Sequence, residues 1–310
     1  MEEEKLIIDV ETEEERRMDQ FLADQMEYSR SFIQKLIKNE RVTVNGNVIT
    51  KVKYPVSFRD KIIIEIPAPT ELEIKPEKMD LDILYEDNDV IVIDKPKGMV
   101  VHPSAGHMSH TLVNGLLYHC KGNLSGINGV LRPGIVHRID MDTTGAIIAC
   151  KNDIAHQSLA KQLQVHSITR KYEAIVYHNL QEETGTIDKP IGRHPVHRKK
   201  MAVVQPEKGK RAVTHYRVLS HLNHKFNYIE CQLETGRTHQ IRVHTASIMH
   251  PLLGDELYGP KPQKMFEKLQ GQTLHAKLLG FQHPVTNQYI EVESPLPQYF
   301  VELLKNLGNS

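Results

Sequence analysis

Charged and polar side chains interrupt an apolar stretch at residues 133–150, PGIVHRIDMDTTGAIIAC. Burying an unpaired ion is costly, so these groups must pair with one another or face a cleft. Asp140 lies two positions after Arg138, and a nearby cation keeps a carboxylate ionised. An ionised aspartate held rigidly in a dry site is a candidate nucleophile. The same pair can equally be a buried salt bridge that only fixes two loops.

Three later segments also place polar side chains in apolar surroundings. They read RKYEAIV, TGRTHQIRVH and LHAKLLGFQHP. Arg237, at an expected strand-to-helix turn of the second segment, is a candidate ion-pair partner for Asp140. Tyr172, in the first segment, is expected to face inward from a strand, either as an ordinary core tyrosine or as a flat surface for a ring. We therefore expect these segments to meet around a cleft.

The sequence DMDTT at residues 140–144 also fits the DxDxT pattern of phosphatases that form an aspartyl-phosphate. That pattern requires a continuous apolar strand ending at the first aspartate, whereas His137 and Arg138 interrupt the run here. Such enzymes also need magnesium ligands downstream, and GDE at residues 254–256 is a weak candidate. This reading remains an alternative to be tested by the structure.

The chain contains 18 histidines and three cysteines, Cys120, Cys150 and Cys231. The histidines form no H-E-x-x-H or H-x-x-E-H pattern, and the widely spaced cysteines cannot complete a zinc set. We expect no metal site. The odd cysteine number also argues against a disulfide framework and for a reducing, cytoplasmic compartment.

The elements that must position these residues belong to a large unit expected at residues 83–305. KYEAIVY, AVTHYRVLS, NYIECQLE and YIEVESP have the composition of strands, whereas IAHQSLAKQLQ and HQIRVHTASI have helical spacing. Parallel βαβ alternation is absent. The pattern predicts an α+β fold with a mixed, largely antiparallel central sheet, flanking helices and a central active-site cleft.

A smaller α+β unit is expected at residues 16–70, followed by a linker at 71–82. Its pattern predicts two helices and a hairpin with Asn45-Gly46 at the turn. Cationic residues on the second helix and hairpin can contact a phosphate backbone, although a solvated helix face has the same composition. The candidate contacts are Arg30, Lys35, Lys38, Arg41 and Asn45. The acidic residues 1–15 are expected to be weakly ordered.

The formal net charge is zero, but the chain after residue 15 is basic. The 310 residues include 39 basic and 39 acidic side chains, but residues 1–15 hold eight of the acidic ones and a single lysine. The remainder therefore has seven excess positive charges, which is compatible with RNA or DNA binding. No apolar run approaches 18 residues, and the N-terminus lacks a signal-peptide layout, so no membrane association is expected.

Two resemblances extend this reading. The segment RRMDQFLAD…YSRSFIQKLIKNERVTVNGNVI resembles the αL RNA-binding module first named for a bacterial small-subunit ribosomal protein. The segments GIVHRIDMDTTG, RKYEAIV, TGRTHQIRVH, HPLLGDELYG and LHAKLLGFQHP, in that order, resemble the RluA/RluD-type family of pseudouridine synthases, which modify ribosomal RNA. Together the two resemblances cover residues 16 to about 300.

The second resemblance implies a role for each candidate site residue. Asp140 matches the aspartate that attacks the target uridine, and Tyr172 matches the tyrosine that packs on the base and helps remove the proton from carbon five. Arg237 matches the arginine that pairs with the aspartate, and Arg138 the arginine that fills the space left by the extruded base. Asp142, with its neighbouring threonines, is expected to shape the turn through side-chain-to-backbone bonds.

The implied function is isomerisation of specific uridines, with large-subunit (23S) ribosomal RNA as the expected partner. The reaction has no redox change and no net hydrolysis, so no cofactor is expected. We also expect a cytoplasmic monomer. A non-catalytic RNA-binding or ribosome-assembly factor with the same fold is the second hypothesis.

Overall fold

The computed structural model describes the whole chain except residues 1–3, 27, 29, 67–73, 105, 130–131, 262–265, 267–268 and 309–310. The chain divides into two compact units, Met1–Leu72 and Glu73–Ser310. No helix among the described residues has the length and apolar character needed to span a bilayer.

The smaller unit packs two helices against a four-stranded antiparallel sheet of order β1-β6-β3-β4, beside a short β2–β5 pair. Its elements are β1 (Glu4–Asp9), β2 (Arg16–Arg17), α1 (Met18–Gln25), α2 (Arg30–Lys38), β3 (Val42–Val44), β4 (Asn47–Val48), β5 (Pro55–Val56) and β6 (Lys61–Ile66). Apolar side chains from α1 and α2, including Phe21 and Ile37, pack with Val44 and Ile62 in one core. The expected hairpin turn at Asn45-Gly46 is present, with φ of 52° and 83°, as a two-residue turn of this kind requires.

The expectation of a weakly ordered N-terminus is wrong for residues 4–9. Strand β1 pairs with β6 along its whole length, from Glu4↔Ile66 to Asp9↔Lys61. Leu6 and Ile8 pack against the core of the smaller unit. An inward apolar residue at every second position is the pattern of a half-buried strand, and here it outweighs the repulsion between acidic neighbours.

The larger unit contains one nine-stranded sheet. Its elements are β7 (Asp82–Glu86), β8 (Val90–Lys95), α3 (Leu112–His119), β9 (Thr144–Cys150), α4 (Asp153–Gln164), β10 (Thr169–Tyr177), β11 (Thr184–Asp188), β12 (Ile191–Arg193), β13 (Met201–Val203), β14 (Val213–Leu222), β15 (Phe226–Leu233), α5 (Gln240–Ser247), β16 (Leu274–Gln282), β17 (Tyr289–Glu293) and α6 (Gln298–Gly308). The order is β11-β14-β15-β10-β16-β9-β8-β7, with β17 also paired to β16. Among the described strands, β9 and β16 form the one parallel pair in this sheet, which confirms the predicted mixed, largely antiparallel α+β fold.

Helices cover both faces of the large sheet. On one face, Leu112 and Leu116 of α3 and Ile241 of α5 pack against inward residues of the central strands. On the opposite face, α4 packs Leu159 against β9 and β16, and α6 packs Phe300 against β10 and β15. The central strands are therefore buried on both sides, which makes them a rigid base for the loops at their ends.

The parallel pair between β9 and β16 is short and requires a glycine. It consists of His275↔Thr144 and Ala276↔Gly145. Gly145 has φ +106°, and a Cβ atom added there would lie 2.3 Å from the carbonyl oxygen of Ala276. Only glycine adopts this backbone conformation and allows this approach without strain.

The expected linker at residues 71–82 is only partly described, because 67–73 lie outside the described residues. From Lys75 onward the chain is attached to the larger unit. Asn114 Nδ2 donates to the carbonyl oxygen of Lys75 at 2.8 Å, and the backbone N–H of His110 donates to Glu77 Oε2 at 3.0 Å. Residues 75–81 are thus part of the larger unit's packing rather than a free connection.

Candidate active site

The loop that carries Asp140 is fixed by buried residues on both sides of it. Ile139 and Thr143 are buried, and the backbone N–H of Thr143 donates to the carbonyl oxygen of Asp140 at 3.1 Å. Gln272 Nε2 donates to Thr143 Oγ1 at 3.0 Å. Asp140 therefore lies on a turn with little freedom, which is the condition for a positioned catalytic group.

A buried lysine, Lys95, also holds the loop that carries Asp140. Lys95 is fully buried at the end of β8. Its Nζ donates to the carbonyl oxygens of Pro96 and Met99, each at 2.8 Å, and to that of Met141 at 2.9 Å. Burial lowers the pKa of Lys95 to about 7, against the opposing effect of nearby aspartates. Three acceptors match the three protons of an ammonium group, so this cation ties the residue after Asp140 to the β8 turn.

Arg242 holds the carboxylate of Asp140. Its Nη1 donates to Asp140 Oδ2 at 2.8 Å. Its Nε and Nη2 donate to the two oxygens of Asp255 at 2.7 and 2.9 Å. Asp255 is fully buried, and burial alone would lower the pKa of Arg242, but hydrogen bonds and charge from both aspartates raise it above its usual range. One permanently charged guanidinium thus bridges a buried carboxylate and the partly exposed carboxylate of Asp140.

The expected pairing of Asp140 with Arg237 is corrected by this geometry. Arg237 lies in the turn before α5, where its Nε donates to the carbonyl oxygen of Arg211 at 2.9 Å. Arg242 lies within α5 and reaches the loop instead. The segment TGRTHQIR offers two arginines five residues apart, and choosing between them requires the start and rotation of the helix, which the sequence does not fix.

His239 is a second neighbour of Asp140 that the sequence reasoning did not single out. Its Nε2 lies 3.7 Å from Asp140 Oδ1. The hydroxyl oxygen of Tyr258 accepts from the backbone N–H of Met201 at 2.7 Å and lies 2.8 Å from His239 Nδ1. If the tyrosine proton is directed to Nδ1, the proton of a neutral His239 is on Nε2, facing Asp140. Burial lowers the pKa of His239, which favours this neutral form.

Asp140 opens onto a cleft of about 360 Å³ with one apolar wall. Tyr172, Ile139, Leu233 and Leu274 supply that wall, and Tyr172 is only 8% exposed. Burial raises the pKa of Tyr172, so its hydroxyl stays protonated near neutral pH. The cleft has the lining expected for a flat heterocycle, with apolar side chains around a few placed polar groups.

Arg138 and Arg237 line the polar side of the cleft. Arg138 is exposed, and no hydrogen-bond or ion-pair partner for its guanidinium is found among the described residues. The structure thus brings Asp140, Tyr172, Arg237 and Arg138 to one cleft, as the four segments predicted, although the ion pair runs to Arg242.

Asp142 does not act as expected among the described residues. It makes no side-chain-to-backbone bond there, and the turn is closed by backbone atoms. Burial raises the pKa of Asp142, while the charges of Lys97 and Lys95 oppose that rise. The neighbouring Thr144 hydroxyl lies 2.9 Å from His275 Nδ1. Asp142 is therefore a half-buried carboxylate beside two lysines, separate from the ion pair of Asp140.

This arrangement does not fit the magnesium phosphatase alternative. A magnesium ion needs oxygen ligands with free lone pairs. Asp140 and Asp255 both accept hydrogen bonds from Arg242, and Asp142 has two lysines beside it. Cations of the protein occupy the neighbourhood in which this enzyme class would bind its metal.

One group of side chains elsewhere has metal-ligand composition, namely Asp87, Asp89 and His283. His283 Nδ1 accepts from the backbone N–H groups of Val285 and Thr286, at 3.3 and 3.1 Å. Its proton is therefore on Nε2, which donates to Asp87 Oδ2 at 2.8 Å. These groups already satisfy one another, and they join the β7–β8 turn to the β16–β17 turn.

In the smaller unit, the five candidate RNA-binding residues differ in availability. Arg30 donates to Asp19, which is fully buried. Burial alone would raise the pKa of Asp19, but hydrogen bonds from three side chains including Arg30 lower it. Lys35 and Lys38 are exposed on α2.

The other two candidates also make contacts within the smaller unit. Arg41 lies 3.6 Å from Glu65. Asn45 uses its amide to bridge Asp60 and the backbone of Lys61, at 2.8 and 2.9 Å. The two lysines of α2 are thus the more accessible members of the predicted set, whereas Arg30 and Asn45 also have structural roles.

The fold and the cleft define a site with one positioned carboxylate beside an aromatic wall and two arginines, suited to a flat ring carried by a polyanion. Residues 89–247 match the family described as RNA pseudouridylate synthase, and residues 16–62 match the S4 domain. The solved structure of human RNA pseudouridylate synthase domain containing 4 shares 26% identity, with a TM-score of 0.58 over 73% of this chain and 92% of its own.

Relatives extend the match over nearly the whole chain. The RNA pseudouridine synthase YlyB of Bacillus subtilis is 50% identical over 97% of this chain and 98% of its own length. Ribosomal large subunit pseudouridine synthase D of Zymomonas mobilis is 45% identical over 94% and 93%. The chain belongs to the RNA pseudouridylate synthase family and is an isomerase that converts uridine in RNA to pseudouridine. This confirms the predicted activity and the predicted S4-type module.

Proposed function

We propose that this enzyme isomerises specific uridines of large-subunit ribosomal RNA and that Asp140 is its catalytic residue. The observation that carries the proposal is the Asp140 carboxylate, held by Arg242 at 2.8 Å where it faces the cleft beside Tyr172. The relatives from Zymomonas mobilis and Escherichia coli, named ribosomal large subunit pseudouridine synthase D, support the choice of RNA.

The reaction requires one bond to break and another to form on the same sugar. The bond from carbon one of the ribose to nitrogen one of uracil breaks, the base rotates, and carbon five bonds to the sugar while losing its proton. Asp140 can attack the sugar, attack the base, or assist a glycal route. All three routes need a carboxylate next to the nucleoside, and the hydrogen bond from Arg242 holds that of Asp140 in place.

Each remaining cleft residue has a role that its position supports. Tyr172 packs on the uracil ring. Arg138, exposed and without a partner among the described residues, fills the space that the extruded base leaves in the RNA. Arg237 contacts the RNA from the other side of the cleft, and Arg242 positions Asp140.

The smaller unit supplies affinity for the RNA. We assign the contacts to Lys35 and Lys38 on α2, with Arg30, Arg41 and Asn45 at its edges. Cations on one face bind the phosphate backbone of folded RNA through shape and charge rather than through base stacking. Three buried free cysteines support a cytoplasmic location.

The test is tritium release from ribosomal RNA fragments labelled at carbon five of uridine. Asp140→Asn keeps the shape of the side chain but removes its charge, and we expect at least a thousandfold loss of release with RNA binding retained. Undiminished release from this variant would rule out Asp140 as the catalytic residue. If the wild-type protein binds the RNA without forming pseudouridine, the non-catalytic assembly factor is the correct reading. Pseudouridine mapping of ribosomal RNA with and without the active protein then identifies the uridines.

A further inference from the structure

Arg170 is a buried cation without a carboxylate partner among the described residues. It lies on β10, two residues before Tyr172, and is 6% exposed. Its Nε has no hydrogen-bond partner there. Its one hydrogen bond is a long contact of 3.4 Å from Nη2 to the carbonyl oxygen of Glu234. Burying a guanidinium without an anion is unfavourable, so a residue in this state points to a ligand.

The guanidinium faces an open cavity of about 330 Å³ that adjoins the cleft. Arg138 and Arg237 line the same cavity, so three arginines surround it. Asp140 is the one carboxylate among the described lining residues, and it already pairs with Arg242.

The charges around this cavity do not balance. Asp140, Arg242 and Asp255 together carry one net negative charge, since one guanidinium serves two carboxylates. The three arginines around the cavity add three positive charges. Burial lowers the pKa of Arg170, and Arg237 adds to that effect. An anion in the cavity would remove this penalty.

A glycine lies close to the guanidinium of Arg170. A Cβ atom added at Gly236 would lie 2.5 Å from Arg170 Nη1. A side chain at this position would collide with Nη1, one of the nitrogens that a planar or tetrahedral anion contacts in bidentate fashion. Gly236 itself lines the cavity.

We propose that Arg170, with Arg237, forms a phosphate-binding subsite that takes a phosphodiester of the RNA strand next to the uridine in the cleft. This rests on the proposed function for the identity of the ligand, although the affinity for phosphate does not depend on it. The subsite fixes the backbone while Asp140 and Tyr172 act on the nucleoside, so that binding energy from the phosphate positions the sugar.

The first experiment measures thermal unfolding of the full chain with increasing inorganic phosphate, against sodium chloride at equal ionic strength. A ligand that binds the folded state raises Tm with concentration. We expect phosphate to raise the Tm of the wild type but not of Arg170→Met. Lys171→Met is the matched control, because it removes a cation from the next residue of β10, which pairs with Glu230 instead. It should retain the phosphate response.

Gly236→Ala provides a second variant if Arg170→Met does not fold. It retains the arginine but places a methyl group against Nη1, so it should also abolish the response. If both variants fold and respond to phosphate as the wild type does, the subsite is wrong. If only Gly236→Ala folds, a response equal to that of the wild type has the same meaning.

The second experiment distinguishes an RNA phosphodiester from free phosphate. With a stem-loop substrate, Arg170→Met should raise KM about tenfold, and Arg170→Lys should restore part of the loss. The slope of log binding constant against log salt should fall by about 0.7, the value for one single-strand phosphate contact. A KM and a salt slope equal to those of Lys171→Met contradict the RNA assignment. If the wild type forms no pseudouridine but phosphate still protects it through Arg170, the proposed function fails and the anion site stands.

Discussion

At the scale of single residues, the central feature is one arginine shared by two aspartates. Asp255 accepts from two nitrogens of Arg242 and also from the backbone N–H groups of Leu257 and Tyr258. This network fixes the orientation of the Arg242 guanidinium, which also donates to Asp140. The carboxylate of Asp140 is therefore oriented by a chain of contacts that begins in the interior of the large unit.

The two arginines near α5 should respond differently to substitution. Arg242→Met leaves Asp255 buried without its cation, so we expect a loss of about 3–5 kcal/mol in the free energy of unfolding and no measurable tritium release. Arg237→Met, the matched control, should retain most of the stability and raise KM more than it lowers kcat. Urea unfolding and tritium-release kinetics measure both. A more severe effect on folding from Arg237→Met would restore the pairing expected from sequence.

The catalytic residue of this site was easier to predict from the sequence than the residues that hold it in place. Asp140 was a candidate from its own segment, because it is a charged residue in an apolar stretch, whereas the roles of Tyr172 and Arg138 were implied by the family resemblance. Arg242 and Asp255 are 13 residues apart and meet only after α5 and the following turn have folded. Pairing across that distance depends on helix rotation, which residue spacing alone leaves open.

At the scale of elements, the loop of Asp140 depends on the two-residue parallel pair between β9 and β16. Gly145→Ala would force a Cβ atom to within 2.3 Å of Ala276 O in a backbone conformation of φ +106°. We expect a loss of roughly 3 kcal/mol or more in the free energy of unfolding, measured by urea titration.

Gly126→Ala is the matched control for that substitution. Gly126 has no atom within 4 Å of an added Cβ and no positive φ, so the variant should be nearly neutral. Equal stability of the two variants would show that β9 and β16 can separate at no cost.

The second helix of the smaller unit offers a direct test of RNA binding. Lys35→Glu with Lys38→Glu reverses two exposed charges on α2 without breaking a described ion pair. We expect weaker binding of ribosomal RNA and a salt slope reduced by about 1.4 to 1.8, from two lost phosphate contacts. Filter binding at several salt concentrations measures this.

Lys5→Glu, on strand β1, is the control for that experiment. Its pair with Glu65 is exposed and 3.6 Å long, so its loss should cost little. Arg30 is a poor choice for charge reversal, because a carboxylate there would face the buried Asp19. Equal affinity of the double variant and the wild type would move the RNA contact away from α2.

Strand β1 shows where element prediction from sequence fails. The acidic composition of residues 1–15 indicates disorder, yet the inward positions Leu6 and Ile8 provide enough apolar surface to complete the sheet. Strand β1 forms because β6 offers it an edge to pair with. The sequence of residues 1–15 does not show that this edge exists. In contrast, the Asn45-Gly46 turn and the helix at residues 153–164 were predictable, because their signals are local.

At the scale of the whole molecule, neutral histidines in the interior make the folded state sensitive to acid. Burial lowers the pKa of His102 to about 4 and that of His275 to about 4, from an unfolded value near 6.5. Between pH 6.5 and 4 the unfolded chain therefore binds more protons than the folded chain. The free energy of unfolding should fall as the pH falls through this window, by up to about 1.4 kcal/mol per pH unit for each histidine.

Urea unfolding at a series of pH values, followed by circular dichroism, checks this dependence. His275→Asn should be less stable at pH 7.5, because His275 lies between Thr144 and Ser294, but its stability should depend less steeply on pH below 6.5. His197→Asn, at an exposed position, should keep the wild-type slope. A wild-type stability that is flat between pH 6.5 and 4 would contradict the assignment of neutral buried histidines.

The order of strands in the large sheet is the global property least accessible from sequence. The fold class follows from the absence of βαβ alternation. The placement of β16 between β9 and β10 joins segments more than a hundred residues apart. Pairing between such distant strands depends on how their side chains pack together in the folded chain, so the local sequence of each strand does not predict it.

The narrow pairing of β9 with β16 also divides the sheet into two half-sheets. Asp140 enters from the half that holds β7, β8 and β9, while Tyr172 belongs to the half that holds β10, β14 and β15. The cleft thus lies across the β9–β16 pairing. The distance between Asp140 and Tyr172 depends on that pairing keeping its register. Substitutions at this pairing will change the relative positions of Asp140 and Tyr172 even where they remove no contact of either side chain.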